Sequence, residues 1–263
     1  MTARESKGPR LFVSSGRFFI TPSPGSTLML DEADSHYIAD VLRLKQGDAV
    51  EVGDPLSGVV GQCHISSIAD QVTVTLDNLI PATNSLLPRL TLLSALCKGQ
   101  RNDQICDWAT ELGCSEIIFW QATRSVVRLK DAGDAEHKQN RLAKIAHAAA
   151  QQSKQARPPA VRVTLSLEEA LNRLETIVST QGLRLVCSLT ERTRALPEAL
   201  ATHQSTPEVT IAIGPEGDLT SDEESLLTSR GFLAVSLGPN VLRSELAAVT
   251  ALATTRMLTL RSR

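Results

Sequence analysis

Ile211-Ala212-Ile213-Gly214-Pro215-Glu216-Gly217-Asp218 and, farther along, Val235-Ser236-Leu237-Gly238-Pro239-Asn240-Val241-Leu242-Arg243-Ser244-Glu245 are two apolar runs that each stop at a Gly-Pro turn. Helical sequence follows both. Strands that end this way leave backbone N–H and C=O groups at the carboxyl edge of a parallel sheet, where α/β proteins bind ligands. Either turn alone also reads as an ordinary strand-to-helix connection, because Gly supplies unusual backbone angles and Pro fixes one. Together they carry Glu216, Arg243 and Glu245 beside apolar strands, a charge density that marks a site. Such a rim suits a small polar cofactor.

Outward from these turns the pattern is α/β. Leu90-Thr91-Leu92-Leu93-Ser94-Ala95-Leu96 predicts a strand, and Ile105, Trp108, Ala109 and Leu112 follow helical spacing to a stop at Gly113. Glu116-Ile117-Ile118-Phe119-Trp120, Leu183–Cys187, Val209–Ile213 and Leu233–Leu237 predict further strands, and Leu142, Ile145, Ala146 and Ala149 another helix. Ser221 and Glu224 read as a capping pair after Gly217. A last helix starts near Ser244 or Glu245 and runs toward Met257, with alanines that permit close packing.

The first part of the chain reads differently. Arg17–Ile20, Ala49–Val52, Val59–Ile65 and Val72–Leu76, punctuated by Gly47-Asp48, Gly53-Asp54 and Pro55, predict a small β-barrel with a short helix at His36–Leu42. The expected division is a disordered leader over 1–16, the barrel over 17–80, a linker over 81–89 and the α/β domain over 90–263.

Composition narrows the function classes. The 263 residues are 42% hydrophobic and 21% charged, as in soluble globular proteins, and no apolar run reaches the ~20 residues of a membrane helix. The N-terminus lacks the apolar segment of a secretory signal, so a cytoplasmic protein is expected. Five cysteines are scattered without CxxC pairs, which suits a reducing compartment and predicts no metal site. Net charge is −2, yet Arg124, Arg128, Lys130, Lys138, Arg141, Lys144, Lys154 and Arg157 crowd one stretch, with Arg17 and Arg43 upstream. The crowding fits an RNA surface or a solvated helix face.

At the two turns the chain resembles the SPOUT class of S-adenosylmethionine-dependent RNA methyltransferases, and within it the bacterial family that methylates N3 of a uridine in 16S ribosomal RNA. That family's signatures read IGPEGG and LGPRILRTETA; Gly214-Pro215-Glu216-Gly217 and Leu237-Gly238-Pro239, Leu242-Arg243, Glu245 and Ala247 match them. Arg17-Phe18-Phe19, His36, Val41-Leu42-Arg43, Gly47-Asp48, Ala109–Gly113, Arg124–Val127 and Gln152-Ser153 also match, so the resemblance covers most of residues 17–257. The departures are Asp218 for a second Gly, Asn240 for Arg, Ser244 and Leu246 for Thr, Trp108 for Lys, and Gln151 and Gln155 for Glu and Arg. They lower the positive charge available to phosphate.

The resemblance implies a PUA-like N-terminal β-barrel that helps hold RNA, and a C-terminal SPOUT domain with a deep trefoil knot that binds S-adenosylmethionine and dimerises. On that basis Gly214, Glu216, Gly217, Leu237, Gly238 and Leu242 enclose the cofactor. Arg243 stabilises negative charge on the uracil oxygens, and Glu245 or Glu216 orients it or receives the proton through water. Glu245 also reads as an acidic residue favoured at a helix N-terminus. Arg17, Arg43, Arg124, Arg128, Arg141, Lys144 and Arg157 are the candidate RNA contacts, and 16S rRNA, or the assembled small subunit, is the expected partner. The rivals are another RNA acceptor such as a ribose 2′-hydroxyl, or an RNA-binding assembly protein weakened in catalysis. A nucleotide-binding enzyme ranks last, because Walker and GxGxxG patterns are absent and Glu216 repels phosphate.

Overall fold

The computed structural model describes residues 8–13, 18–19, 22–80, 87–179, 182–189, 193–203 and 206–260. The chain forms two compact units, Met1–Asn84 with Ala150–Pro158, and Ser85–Ala149 with Pro159–Arg263.

The first unit is a five-stranded sheet in the order β1-β3-β4-β5-β2, from β1 (Arg10–Phe12), β2 (Thr27–Met29), β3 (Ala49–Gly53), β4 (Val60–Ile68) and β5 (Val72–Ile80). Strands β4 and β5 alternate buried and partly exposed side chains, which puts Cys63, Ile65, Val72, Val74 and Leu76 in one core with Leu11, Leu30 and Ile38. Two expectations change. Arg10–Phe12, inside the expected leader, is a strand parallel to β3, because Leu11 and Phe12 bury their side chains there. Among the described residues β1 and β2 remain edges, so the observed element is an open sheet where a barrel was expected. The helix expected at 36–42 is α1 (Glu32–His36) followed by a π-helical turn at Tyr37–Val41; Asp31 caps it by accepting from the Asp34 N–H at 2.9 Å. Phe18 and Phe19 are not in a strand, and Arg17 and Ile20 lie outside the described residues, as do residues 1–7 of the leader and 81–86 of the linker.

A segment far along the chain completes this unit. Arg10 donates to Glu51 Oε2 at 2.9 Å and to the carbonyls of Lys154 and Gln155, the latter at 2.8 Å. Glu51 is only 2% exposed, so the ion pair meets the requirement that a buried charge be partnered.

The second unit is a seven-stranded parallel sheet in the order β10-β12-β9-β11-β6-β7-β8. Its strands are β6 (Arg89–Ala95), β7 (Cys114–Trp120), β8 (Ala160–Thr164), β9 (Leu183–Cys187), β10 (Arg194–Ala195), β11 (Glu208–Ile213) and β12 (Leu233–Ser236). Its helices are α2 (Arg101–Glu111), α3 (Ala132–Gln152), α4 (Leu167–Glu175), α5 (Leu196–Ala201), α6 (Ser221–Ser229) and α7 (Ser244–Thr259). Leu92, Ile117, Leu185 and Ile211 face one core with side chains of α2, α3, α5 and α7, while Leu93, Ile118, Val186 and Ala212 face another with α4 and α6. Burial on both faces explains why these strands read as continuous apolar runs.

Helix ends position the rim. α6 is capped one residue earlier than Ser221 and Glu224 suggest: Thr220 accepts from the Glu223 N–H at 3.2 Å, and Glu223 Oε2 accepts from the Thr220 N–H at 2.9 Å. The capping box shifts because Glu223 also takes the Thr123 N–H at 2.8 Å, which ties α6 to the loop after β7. Past α2, Arg256 of α7 donates to the carbonyls of Leu112 at 3.1 Å, Gly113 at 2.8 Å and Pro88 at 3.3 Å. Among the described residues no helix is long and apolar enough to cross a membrane.

Candidate functional site

Ile213 pairs with Ser94 of β6 and Cys187 of β9, so these strands end together and the turns after β6, β9, β11 and β12 gather at one carboxyl edge. β11 lies between β6 and β9, where the chain's progression across the sheet changes direction; α/β sheets place ligands at such a point.

The turn after β11 is held from three sides. Ser244 Oγ donates to the Gly214 carbonyl at 3.1 Å, the Asp218 N–H closes onto Pro215 O at 3.0 Å, and Arg124 donates to the carbonyls of Gly217 at 3.3 Å and Leu219 at 3.1 Å. Gly217 is needed for close approach: a Cβ there would stand 3.0 Å from Arg124 Cβ and 3.1 Å from its carbonyl oxygen. The left-handed position of the turn is Asp218, with φ +63°, and its Oδ1 accepts the Leu219 N–H at 2.9 Å. Short acidic side chains tolerate this conformation by such local bonds.

The turn after β12 uses Gly238 at φ +126°, a conformation that excludes most side chains. Ser236 Oγ accepts the Gly238 N–H at 3.2 Å. The chain then leaves in extended geometry at Arg243, the N-cap residue of α7, whose carbonyl accepts from Ala247 at 2.8 Å. The Arg243 side chain is exposed and makes no hydrogen bond or ion pair among the described residues.

Two neighbouring cavities open here. The first is a cleft between the two turns and the end of β9, with Ile213, Leu237, Leu242 and Ala247 as apolar wall and Gly214, Gly238 and Ser188 on its rim. The second is charged: Lys98, Arg101 and Arg243 face Glu216 and Asp218. Of the expected cofactor residues, Gly214, Leu237, Gly238 and Leu242 line the cleft, Glu216 lines the second cavity, and Gly217 lies behind, against Arg124.

Arg101 organises the acids. Its Nη1 stands 2.6 Å from Glu216 Oε1 and its Nε 3.5 Å from Glu245 Oε1, while the Lys98 N–H donates to Glu216 Oε1 at 3.2 Å. Burial alone raises the Glu216 pKa, but the hydrogen bonds from the backbone and from Arg101 outweigh it and leave the carboxyl below its ordinary value. The folded state therefore gains from this ion above the ordinary carboxylate pKa and loses the gain as pH falls through the lowered one. Glu245 is 13% exposed and lines neither cavity, with Oε2 buried and unbonded among the described residues. Glu245 sits beside Arg101 in the first turn of α7, where the helix dipole favours an acid. Arg101→Ala is expected to move the Glu216 titration upward in a carbon-13 carboxylate NMR experiment; an unmoved titration contradicts the network.

The expected RNA contacts divide. Arg43, at φ +53°, and Arg157, donating to Leu56 O at 3.4 Å, belong to the first unit, and Arg17 lies outside the described residues. In the second, Arg128 donates to the carbonyls of Ala122 at 3.2 Å and Thr123 at 2.6 Å, and Arg141 pairs with Asp103 at 2.5 Å. Like Arg124, Arg128 braces a loop, whereas Arg141 ties α3 to α2, so the charge of each reaches a phosphate from a fixed position. Lys144 is exposed on α3. Burial lowers the pKa of His147, in keeping with a packing role.

Lys98, Arg101 and Cys187–Leu189 were not singled out in the sequence. Cys187 ends an apolar run that no Gly-Pro pair marks, and Arg101 reads as an ordinary charge at a helix start. Their position at strand ends is the signal that finds them.

Comparison with known proteins gives this geometry a lineage. A profile described as an RNA methyltransferase domain matches residues 84–256, and one described as an RNA methyltransferase PUA domain matches 30–77. The ribosomal RNA small subunit methyltransferase E of Mycobacterium bovis is 30% identical over 243 residues, 91% of this chain and 90% of that protein. The Bacillus subtilis protein of the same name is 29% identical over 92% of this chain and 94% of its own length. In fold, the crystal structure of the Neisseria gonorrhoeae protein of that name, bound to S-adenosyl methionine, superposes with a TM-score of 0.80 at 23% identity, covering 95% of this chain and 98% of that one. With both of its units matched, this chain belongs to the family of RNA methyltransferases that contains the ribosomal RNA small subunit methyltransferases E.

Proposed function

We propose that the protein transfers a methyl group from S-adenosylmethionine to N3 of one uridine in 16S rRNA, with the assembled small ribosomal subunit as substrate, in the cytoplasm and as a homodimer. The observation that carries this reading is the pair of adjoining cavities, one apolar with turn backbone at its rim and one lined by Lys98, Arg101 and Arg243. The cleft fits the cofactor: Ile213, Leu237, Leu242 and Ala247 suit an adenine ring, and the turns around Gly214 and Gly238 offer backbone groups to its polar parts. When bound, the cofactor supplies an activated methyl group whose leaving sulfur departs neutral, so the protein's main task is alignment.

Loss of the N3 proton puts negative charge on the uracil carbonyl oxygens, and Arg243, exposed in the second cavity, is the residue that meets it. Glu216 is held by Arg101 and the Lys98 N–H, so its part in this reading is to orient Arg101, and the N3 proton leaves to hydroxide from the solvent as the nitrogen attacks the methyl carbon. The target base has to leave its stack to enter, and the basic residues position the flanking phosphates.

A trefoil knot belongs to this reading, in which β12, paired with both β9 and β10, lies between two earlier strands. Dimerisation is supported by exposed Leu246, Met257 and Leu258 on α7. The test of substrate is methyl transfer from labelled cofactor to intact small subunits, protein-free 16S rRNA and large subunits in parallel. Label confined to the small subunit, and weaker on protein-free RNA, is expected; preferential label on large subunits contradicts the reading.

A further inference from the structure

We propose that Asp218 is a specificity residue that favours the sulfonium of the methyl donor over the neutral thioether left after transfer. The inference deepens the cofactor reading above and rests on it. Six described residues line both cavities: Leu189, Pro215, Asp218, Val241, Leu242 and Ser244. Asp218 is the one charged side chain among these six. A methyl group that leaves a donor in the first cavity for an acceptor in the second crosses this shared wall, because transfer requires donor sulfur, methyl carbon and acceptor nitrogen in line. A sulfonium presented across this wall would meet Asp218 as its one charged neighbour among the shared residues.

The side chain is available for this. Oδ1 is occupied by the Leu219 N–H at 2.9 Å, which fixes the rotamer, while Oδ2 has no hydrogen bond among the described residues. Glu216 and Glu245 are already partnered by Arg101. The backbone at φ +63° suits glycine, and the Oδ1–Leu219 bond lets aspartate occupy it while leaving Oδ2 toward the cavities. Donor and product share the adenosine, the ammonium and the carboxylate and differ in the sulfur charge and its methyl group. A fixed anion beside the sulfur therefore acts on one ligand and hardly on the other.

The test is calorimetric titration of S-adenosylmethionine and S-adenosylhomocysteine into wild-type protein, Asp218→Asn and Asp218→Gly. Glycine accepts the left-handed backbone, so at least one variant folds without strain. Both variants are expected to bind the donor about fivefold more weakly while product affinity changes less than about twofold, the size of one screened charge contact. Unchanged donor affinity, or an equal loss for both ligands, overturns the assignment. Gly238→Ala separates this from failure of the cofactor reading: distortion of the cleft rim weakens both ligands together if the cofactor lies there, whereas unchanged affinities move the cofactor elsewhere and overturn the Asp218 assignment with it.

Discussion

Arg243→Ala is expected to lower single-turnover methyl transfer by about 10²–10³-fold while cofactor affinity and the unfolding midpoint stay at wild-type values, the loss typical of a donor aimed at developing negative charge. Three features support a loss confined to chemistry. The side chain is exposed and lines the charged cavity, no described residue holds it, and α7 begins at Arg243 through backbone geometry alone. Arg243→Lys retains the charge but not the planar fork, so partial recovery is expected. Single-turnover kinetics on small subunits, with binding measured separately, check both variants. Wild-type rates for Arg243→Ala would remove this residue from the chemistry.

The second large effect concerns stability. Arg256 sends its guanidinium to three carbonyls, Leu112, Gly113 and Pro88, which otherwise lie at the end of α2 and the entry to β6 without these donors. Burial lowers its pKa, as expected for a cation surrounded mainly by neutral groups. Arg256→Met keeps the stem volume and removes every donor. At roughly 1 kcal/mol per hydrogen bond, the variant is expected to lose about 3 kcal/mol of unfolding free energy, read as a lower urea midpoint at unchanged slope. Transfer per folded molecule is expected to stay at the wild-type level, since Arg256 lines neither cavity. An unchanged midpoint contradicts the clamp.

Much of the second unit could be read directly from residues. Parallel strands covered on both faces become unbroken apolar runs, and Gly113 and the Gly-Pro turns mark their ends, so β6, β7, β9, β11 and β12 were all anticipated. Short or polar elements were not: β10 has two residues, β2 is mostly exposed, and β8 with α4 follows a Pro-Pro pair that masks the strand. The capping box of α6 shows the limit of local pattern, since Thr220 and Ser221 both precede a suitable Glu and only the tertiary bond from Thr123 selects between them.

The site was readable in its two turns and unreadable in its partners. Gly214, Leu237, Gly238 and Leu242 converge because both turns follow neighbouring strand ends, which sequence order supports. Arg101 and Lys98 follow a different strand, and only sheet order brings them to Glu216. Conversely, charge count suggested free cations at Arg124 and Arg128, whereas main-chain carbonyls of their own loops and of the neighbouring turn occupy them. A run of arginines records charge, and the structure decides how much of it faces solvent.

In the proposed reaction the charged cavity presents a uridine N3 to the methyl donor. The most direct measurement is digestion of small-subunit RNA labelled by the wild-type protein to nucleosides, followed by chromatography and mass spectrometry against authentic methylated uridines. Label in 3-methyluridine from a single position of 16S rRNA is expected; label in a 2′-O-methylated nucleoside or on a ring carbon would contradict transfer to N3.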